Sequence, residues 1–280
     1  MIRALGRALG TEFRQREEEH VVDYADPLGE FVDRVRNVYL PTYVANLDRR
    51  DIGRVVPGFP LTFDPDQINT SAETAARFLR AVDEGPVERR PTSFGLPRDR
   101  PKGRCPIFDR PTSKGRLPFL DEGPLGVAAA GLLALDLGWP EERLGFRSRL
   151  EYFDVSAYGP QDDPMTKGQL VVAAETKWKQ PEVQELIEDI QECGGIGAHQ
   201  RETCAVTLRR RSGNHHNKYR GLIKLRPQLL WLVGPEERHV FRLQYKGSKR
   251  VVLESDTEEA LRCDALHATP AVRSLAEAAP

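Results

Sequence analysis

Between Val127 and Leu137 the chain carries Val127, Ala128, Ala129, Ala130, Leu132, Leu133, Leu135 and Leu137, so a helix through this stretch is apolar almost all round. A helix with no polar face must be covered on every side. Pro124 suits its first turn and Gly138 its end. The stretch is about half of the roughly 20 residues that a bilayer span needs, and Asp136 lies inside it. The chain is therefore expected to bury this helix in a core of its own, with no membrane anchor. Its 280 residues allow one large or two modest domains at roughly 100–200 residues each. Four cysteines, Cys105, Cys193, Cys204 and Cys263, are too sparse and irregular for a disulfide framework. A reduced, cytoplasmic compartment follows as the expectation. The first residues reach Glu12 and Glu17-Glu18-Glu19 before any sustained apolar run, which is not the pattern of a signal peptide.

Upstream, residues 1–85 read as mostly helical. Phe31, Val32, Val35, Val38 and Tyr39 recur at helical spacing until Pro41, and Thr70-Ser71-Ala72-Glu73 resembles a capping box that opens a helix ending at Gly85. Nothing in this region carries chemistry, and it is the expected place for a protein partner. From 86 to 118, prolines at 86, 91, 97, 101, 106, 111 and 118 alternate with basic residues. Prolines that close together exclude a long helix or a central strand, so a linker or an arm laid over a surface is predicted.

Residues 119–280 read as an α/β domain. After the buried helix come a strand over Phe146–Ala157, a turn-rich interval, and the apolar run Leu170-Val-Val-Ala-Ala that ends in Glu175-Thr-Lys177. Pro181 starts an amphipathic helix that Cys193-Gly194-Gly195 stops. Strands are predicted at Cys204–Leu208 and Leu229–Val233, then a hairpin from His239–Tyr245 and Arg250–Glu254. In a strand, residues i and i+2 share a face, so Glu175 and Lys177 project side by side, with Asp154 on the neighbouring strand. Two carboxylates and an ammonium at the end of a sheet can hold Mg²⁺ and neutralise charge on a phosphate.

The order of buried helix, Leu150-Glu-Tyr-Phe-Asp154-Val, loop, Leu170-Val-Val-Ala-Ala-Glu175-Thr-Lys177-Trp and helix resembles the PD-(D/E)xK nuclease superfamily, across roughly residues 120–245. The resemblance implies a restriction-endonuclease-like fold, a mixed central sheet flanked by helices, and Mg²⁺- or Mn²⁺-dependent hydrolysis of nucleic acid, DNA rather than RNA. It makes Asp154 and Glu175 the metal carboxylates and Lys177 the catalytic lysine. Glu122 matches an extra acid that some branches carry, and Gln184 falls where some place a glutamine. For the first carboxylate, Asp163 and Glu151 compete with Asp154. The alternative is a non-catalytic module on the same fold that binds nucleic acid or protein.

Cys193, His199, Cys204, His215 and His216 lack the paired Cys-x₂₋₄-Cys and His-x₃₋₅-His units of structural zinc sites, and are read as ordinary core or surface residues. The total of 41 Lys and Arg against 42 Asp and Glu hides a local imbalance. Between Arg201 and Arg250 thirteen basic residues face three acids. Arg209, Arg210, Arg211, Lys218 and Arg220 form a predicted basic loop with donors suited to a phosphate backbone.

Overall fold

The apolar spacing around Phe31 does produce a helix, α1 (Pro27–Arg34), in a computed structural model that describes residues 24–97, 103–147, 152–160, 169–197, 199–210 and 214–268. Asp26 caps it by accepting the Gly29 N–H at 2.9 Å. Sequence spacing predicts an end at Pro41, yet the chain continues through a π-helical turn (Val35–Tyr39) into Leu40–Ala45. Proline lacks an N–H and its ring crowds the carbonyl four residues back. Widening the preceding turn, so that the Leu40 N–H donates to Val35 O, lets the helix pass it. Helix α2 (Ala72–Asp83) is capped by Ser71, whose hydroxyl accepts the Thr74 N–H at 3.1 Å. Glu73 pairs with Arg77 at 2.8 Å instead of closing a capping box.

Among its described residues the proline-rich stretch forms a short hairpin, β1 (Glu88–Arg90) and β2 (Ser93–Gly95), and no longer element, as the prolines dictate. It is nevertheless more than a surface strap. Phe94, Leu96, Ile107, Phe108 and Leu117, the apolar residues between the prolines, are buried. Phe94 meets Phe78 edge-on at 5.0 Å and Tyr39 at 5.3 Å, so the arm joins the N-terminal helices to the core. Helix α3 (Glu122–Gly131) is buried along Gly123–Gly131, as its apolar circumference requires. It lies tight against α2: a Cβ on Gly131 would sit 2.5 Å from that of Ala81.

Beyond α3 the chain builds a mixed six-stranded sheet flanked by helices. Its strands are β3 (Leu144–Phe146), β4 (Val155–Tyr158), β5 (Leu170–Thr176), β6 (Leu229–Val233), β7 (Arg238–Lys246) and β8 (Arg250–Asp256). They lie in sequence order, antiparallel throughout except for the parallel pair β5 and β6. The single strand expected over Phe146–Ala157 is thus two strands that pair with each other. Every residue of β5 and β6 is buried, because helices cover both faces. Leu229, Trp231 and Val233 enter the core that contains α3, and Leu230 and Leu232 enter a second core. That second core holds α4 (Gln180–Ile196), α5 (Ala205–Arg210) and α6 (Asn214–Leu225), which form the crossover that a parallel pair demands.

The strand predicted at Cys204–Leu208 is therefore a correction: α5 occupies it, with Val206 buried and Leu208 65% exposed. A short apolar run does not distinguish strand from helix by period. The basic loop expected around Arg209–Arg220 is likewise mostly α5 and α6. Among the described residues no helix is long and apolar enough to cross a membrane.

Candidate active site

Strand alternation puts Glu175 and Lys177 on one face at the C-terminal end of β5, where the Lys177 N–H donates to Val233 O of β6 at 2.9 Å. Glu175 is 2% exposed. Its Oε1 accepts from Lys177 Nζ at 3.0 Å and its Oε2 from Lys218 Nζ at 2.5 Å. Lys218, 1% exposed, reaches in from α6 and also donates to the Tyr152 carbonyl. Expected among the phosphate-gripping residues, it is instead a buried partner of the central carboxylate, with no surface to offer a nucleic acid. Helix α6 comes this close because Gly221 has no side chain: a Cβ there would lie 2.7 Å from Tyr152 Cβ and Cγ. Replacing Gly221 with alanine should push α6 from the segment that leads to Asp154. A loss of about 1–3 kcal/mol is expected, read from urea unfolding midpoints.

Asp154, just before β4, turns its Oδ2 to the end of β5 and accepts the N–H and hydroxyl of Thr176 at 3.0 and 3.1 Å. Its Oδ1 has the Arg147 guanidinium at 3.8 Å. Burial opposes ionisation of Asp154, but Lys218, Lys177 and the Thr176 N–H outweigh it and hold the carboxyl below its usual range. Glu122, at the start of α3, adds a third acid, 3.6 Å from Lys177 Nζ. Burial and the nearby charges of Asp154 and Glu175 push its pKa up, against the pull of Lys177. Burial alone would lower Lys177; Glu175, Glu122 and Asp154 overcome that and raise it, so it stays an ammonium.

Three carboxylates and two ammoniums thus border the region where β4, β5, α3 and α6 come together, with the lysines between the acids and the three acids not gathered at metal-ligand spacing. Their oxygens are the hard donors that Mg²⁺ takes, of which one or two carboxylates suffice. Asp154 Oδ1, with Arg147 at 3.8 Å, and the half-buried Glu122 are the less engaged, whereas both oxygens of Glu175 are held by lysines.

The other expected residues are placed less centrally. Gln184 is exposed on α4 and donates to Glu188 at 3.1 Å. Arg210 pairs with Asp189 at 2.8 Å and Glu185 at 2.9 Å, while Arg209 pairs with Asp189 and, at 2.8 Å, with Glu192. Those two arginines fold onto the acidic face of α4. Arg220 is exposed on α6. Glu151, Asp163 and Arg211 lie outside the described residues.

Sequence spacing gave no weight to Cys193, His199, Cys204 and His216, and the fold gathers them. One ligand atom from each lies within 4.8 Å of all the others, the single such group of three or more Cys, His or acidic residues found among the described residues. The signal was their concentration in one short stretch, 193–216, in a chain with four cysteines and six histidines. No family model, curated protein or solved structure matches the chain, so the reading of both clusters rests on their own geometry.

Proposed function

We propose that this chain is a metal-dependent hydrolase of nucleic-acid phosphodiester bonds, acting on DNA in preference to RNA, on a restriction-endonuclease-like sheet. The observation that carries the reading is the pairing of Glu175 with Lys177 at the end of β5, where Asp154 bonds to the intervening Thr176 and Glu122 lies 3.6 Å from Lys177. Asp154 and Glu122 would hold Mg²⁺ or Mn²⁺, which supplies positive charge to a phosphate oxygen and acidifies a water, and Glu175 would join them only by giving up one of its lysine partners. Thr176 fixes Asp154 through two hydrogen bonds, so the first carboxylate is aimed before substrate arrives. The acidic neighbours of Lys177 favour its protonated form. Its part is to set an ammonium against the charge that builds on the phosphate during attack.

The test is cleavage of single- and double-stranded DNA and RNA with Mg²⁺ or Mn²⁺, comparing the unmodified chain with Asp154→Asn. Asn keeps the size of the side chain and one acceptor for Thr176 while removing the charge. A drop of about 10²-fold or more in rate is expected. Undiminished cleavage by Asp154→Asn overturns the assignment of Asp154. One observation favours a second reading: lysine ammoniums occupy both oxygens of Glu175. On that reading the fold is a non-catalytic module that binds nucleic acid or protein. Salt-sensitive binding to DNA without metal-dependent turnover in the unmodified chain would select it.

A further inference from the structure

The Cys/His cluster lies in the crossover, apart from the carboxylates. Cys193 is near the end of α4, His199 is in the following loop, Cys204 immediately precedes α5, and His216 is in the first turn of α6. Gly197, at a φ of 82°, makes the turn out of α4 that brings His199 back to it. Cys193 Sγ lies 3.8 Å from Cys204 Sγ and 3.8 Å from His216 Nδ1. A tetrahedron with metal–sulfur bonds of about 2.3 Å has an S···S edge of about 3.8 Å and, with metal–nitrogen bonds of about 2.0 Å, S···N edges near 3.5 Å. The sulfurs already stand at the first spacing and the imidazole is within a few tenths of an ångström of the second.

The second observation is independent of the distances. Both ring nitrogens of His199 and Nε2 of His216 are buried without a hydrogen-bond partner. Burying such groups unpaired is costly, and natural folds rarely leave them so. A cation that accepts one lone pair from the His199 ring removes part of that cost; His216 meets Cys193 through Nδ1, so its Nε2 is not the nitrogen that the ion would relieve. The surroundings also hold the rings: Tyr219 stacks on His199 at 5.7 Å, and its hydroxyl donates to Gly197 O at 3.1 Å.

We propose that Cys193, His199, Cys204 and His216 bind one Zn²⁺ as a closed, tetrahedral, structural site. Two sulfurs and two imidazoles suit zinc over the oxygen-seeking Mg²⁺ or Ca²⁺. Two thiolates balance its charge, so the complex is neutral and burial is cheap. Four protein ligands leave no position for substrate, which gives the ion a structural role and makes this site independent of the proposed hydrolysis. The ion ties α4, the loop and α5 to α6. His216 and Lys218 are two residues apart on α6, about 200° around a helix, so zinc would grip one side of α6 while Glu175 holds the other.

The full chain, purified under reducing conditions without chelators, should carry about one zinc per chain by elemental analysis. Cys204→Ser and His199→Ala should lose it, while Cys105→Ser and Cys263→Ser keep it. Unmodified protein stripped of metal should take up Co²⁺ at one equivalent with the intense visible bands of tetrahedral thiolate ligation, and Zn²⁺ should bleach them. That titration needs no variant, so it decides the matter even if the substitutions fail to fold. Metal-free purified protein that gives no such Co²⁺ spectrum overturns the proposal, as does a Cys204→Ser variant with undiminished zinc. A Cys193–Cys204 disulfide in place of metal would also overturn it.

Discussion

Glu175→Ala should lower the free energy of unfolding by about 3–5 kcal/mol, making it among the most damaging single substitutions in the chain. Two ammoniums, Lys177 and Lys218, converge on this carboxylate, and the exposures of Glu175 and Lys218 are 2% and 1%. A buried ion pair adds little over a well-packed apolar pair, but stripping out one partner strands the other away from water. Here it strands two. Lys177 keeps Glu122 at 3.6 Å, while Lys218 is left with the Tyr152 carbonyl and the charge of Asp154 beyond hydrogen-bond range. Chemical denaturation of the single variant and of Glu175→Ala with Lys218→Met tests the account. The double variant should recover most of the loss, because no unpaired charge remains at Lys218. A single variant within about 1 kcal/mol of the unmodified chain would show that Glu175 is not the counter-ion of a buried pair. Loss of activity on removing Glu175 thus mixes chemistry with folding, which is why Asp154→Asn is the cleaner probe of hydrolysis.

Asp189→Ala should cost about 2–4 kcal/mol, less because Arg209 is half in solvent and can rehydrate. Asp189 is fully buried on α4, yet it accepts from Arg209 and Arg210 and sits 2.6 Å from His215 Nδ1. It joins α4 to α5 and α6. Burial works against its charge, but Arg210, His215 and Arg209 prevail and hold the carboxyl below its usual range. A carboxyl depressed in the folded state stabilises the fold above its unfolded pKa of about 3.9, and that stability is lost as pH falls through the folded value. Asp154 shifts in the same direction. Both groups therefore leave stability unchanged from neutrality down to about pH 5 and withdraw it below about pH 4. Urea midpoints measured against pH should fall less steeply on the acid side in Asp189→Asn than in the unmodified chain. Equal slopes would mean that Asp189 contributes no linkage.

What could be read from the sequence was what depends on near neighbours. The all-round apolar helix, the strand through Leu170–Ala174, the pairing of Glu175 with Lys177 and the β7–β8 hairpin all follow from period and punctuation. Lys218 escaped that reading because it belongs to Glu175 only after α6 has crossed over the sheet, 43 residues later. Its neighbours Arg209, Arg210 and Arg220 made it look like one more surface base. Cys193, His199, Cys204 and His216 were missed for a related reason. Motif spacing assumes ligands on one small hairpin or one helix, and here two helices and two connecting segments each contribute one. Asp154 could be named but not placed, since the strand expected around it begins only at Val155. Proline content accounts for the lack of long elements among the arm's described residues but says nothing about the phenylalanines between, which fix its location.

The single parallel seam in the sheet has a consequence for how the molecule is made. β3, β4 and β5 pair antiparallel along one stretch of chain, and β6, β7 and β8 along another. Within the sheet the two blocks meet where β5 joins β6, and residues 177–228 separate those strands. Contacts between segments so far apart in sequence are closed late, because the chain between them must first be confined. Lys218 reaches Glu175 across that seam, and Lys177 meets Val233 along it. The charged cluster is thus assembled at the last joint to close, and a nascent or half-folded chain carries its parts without the site.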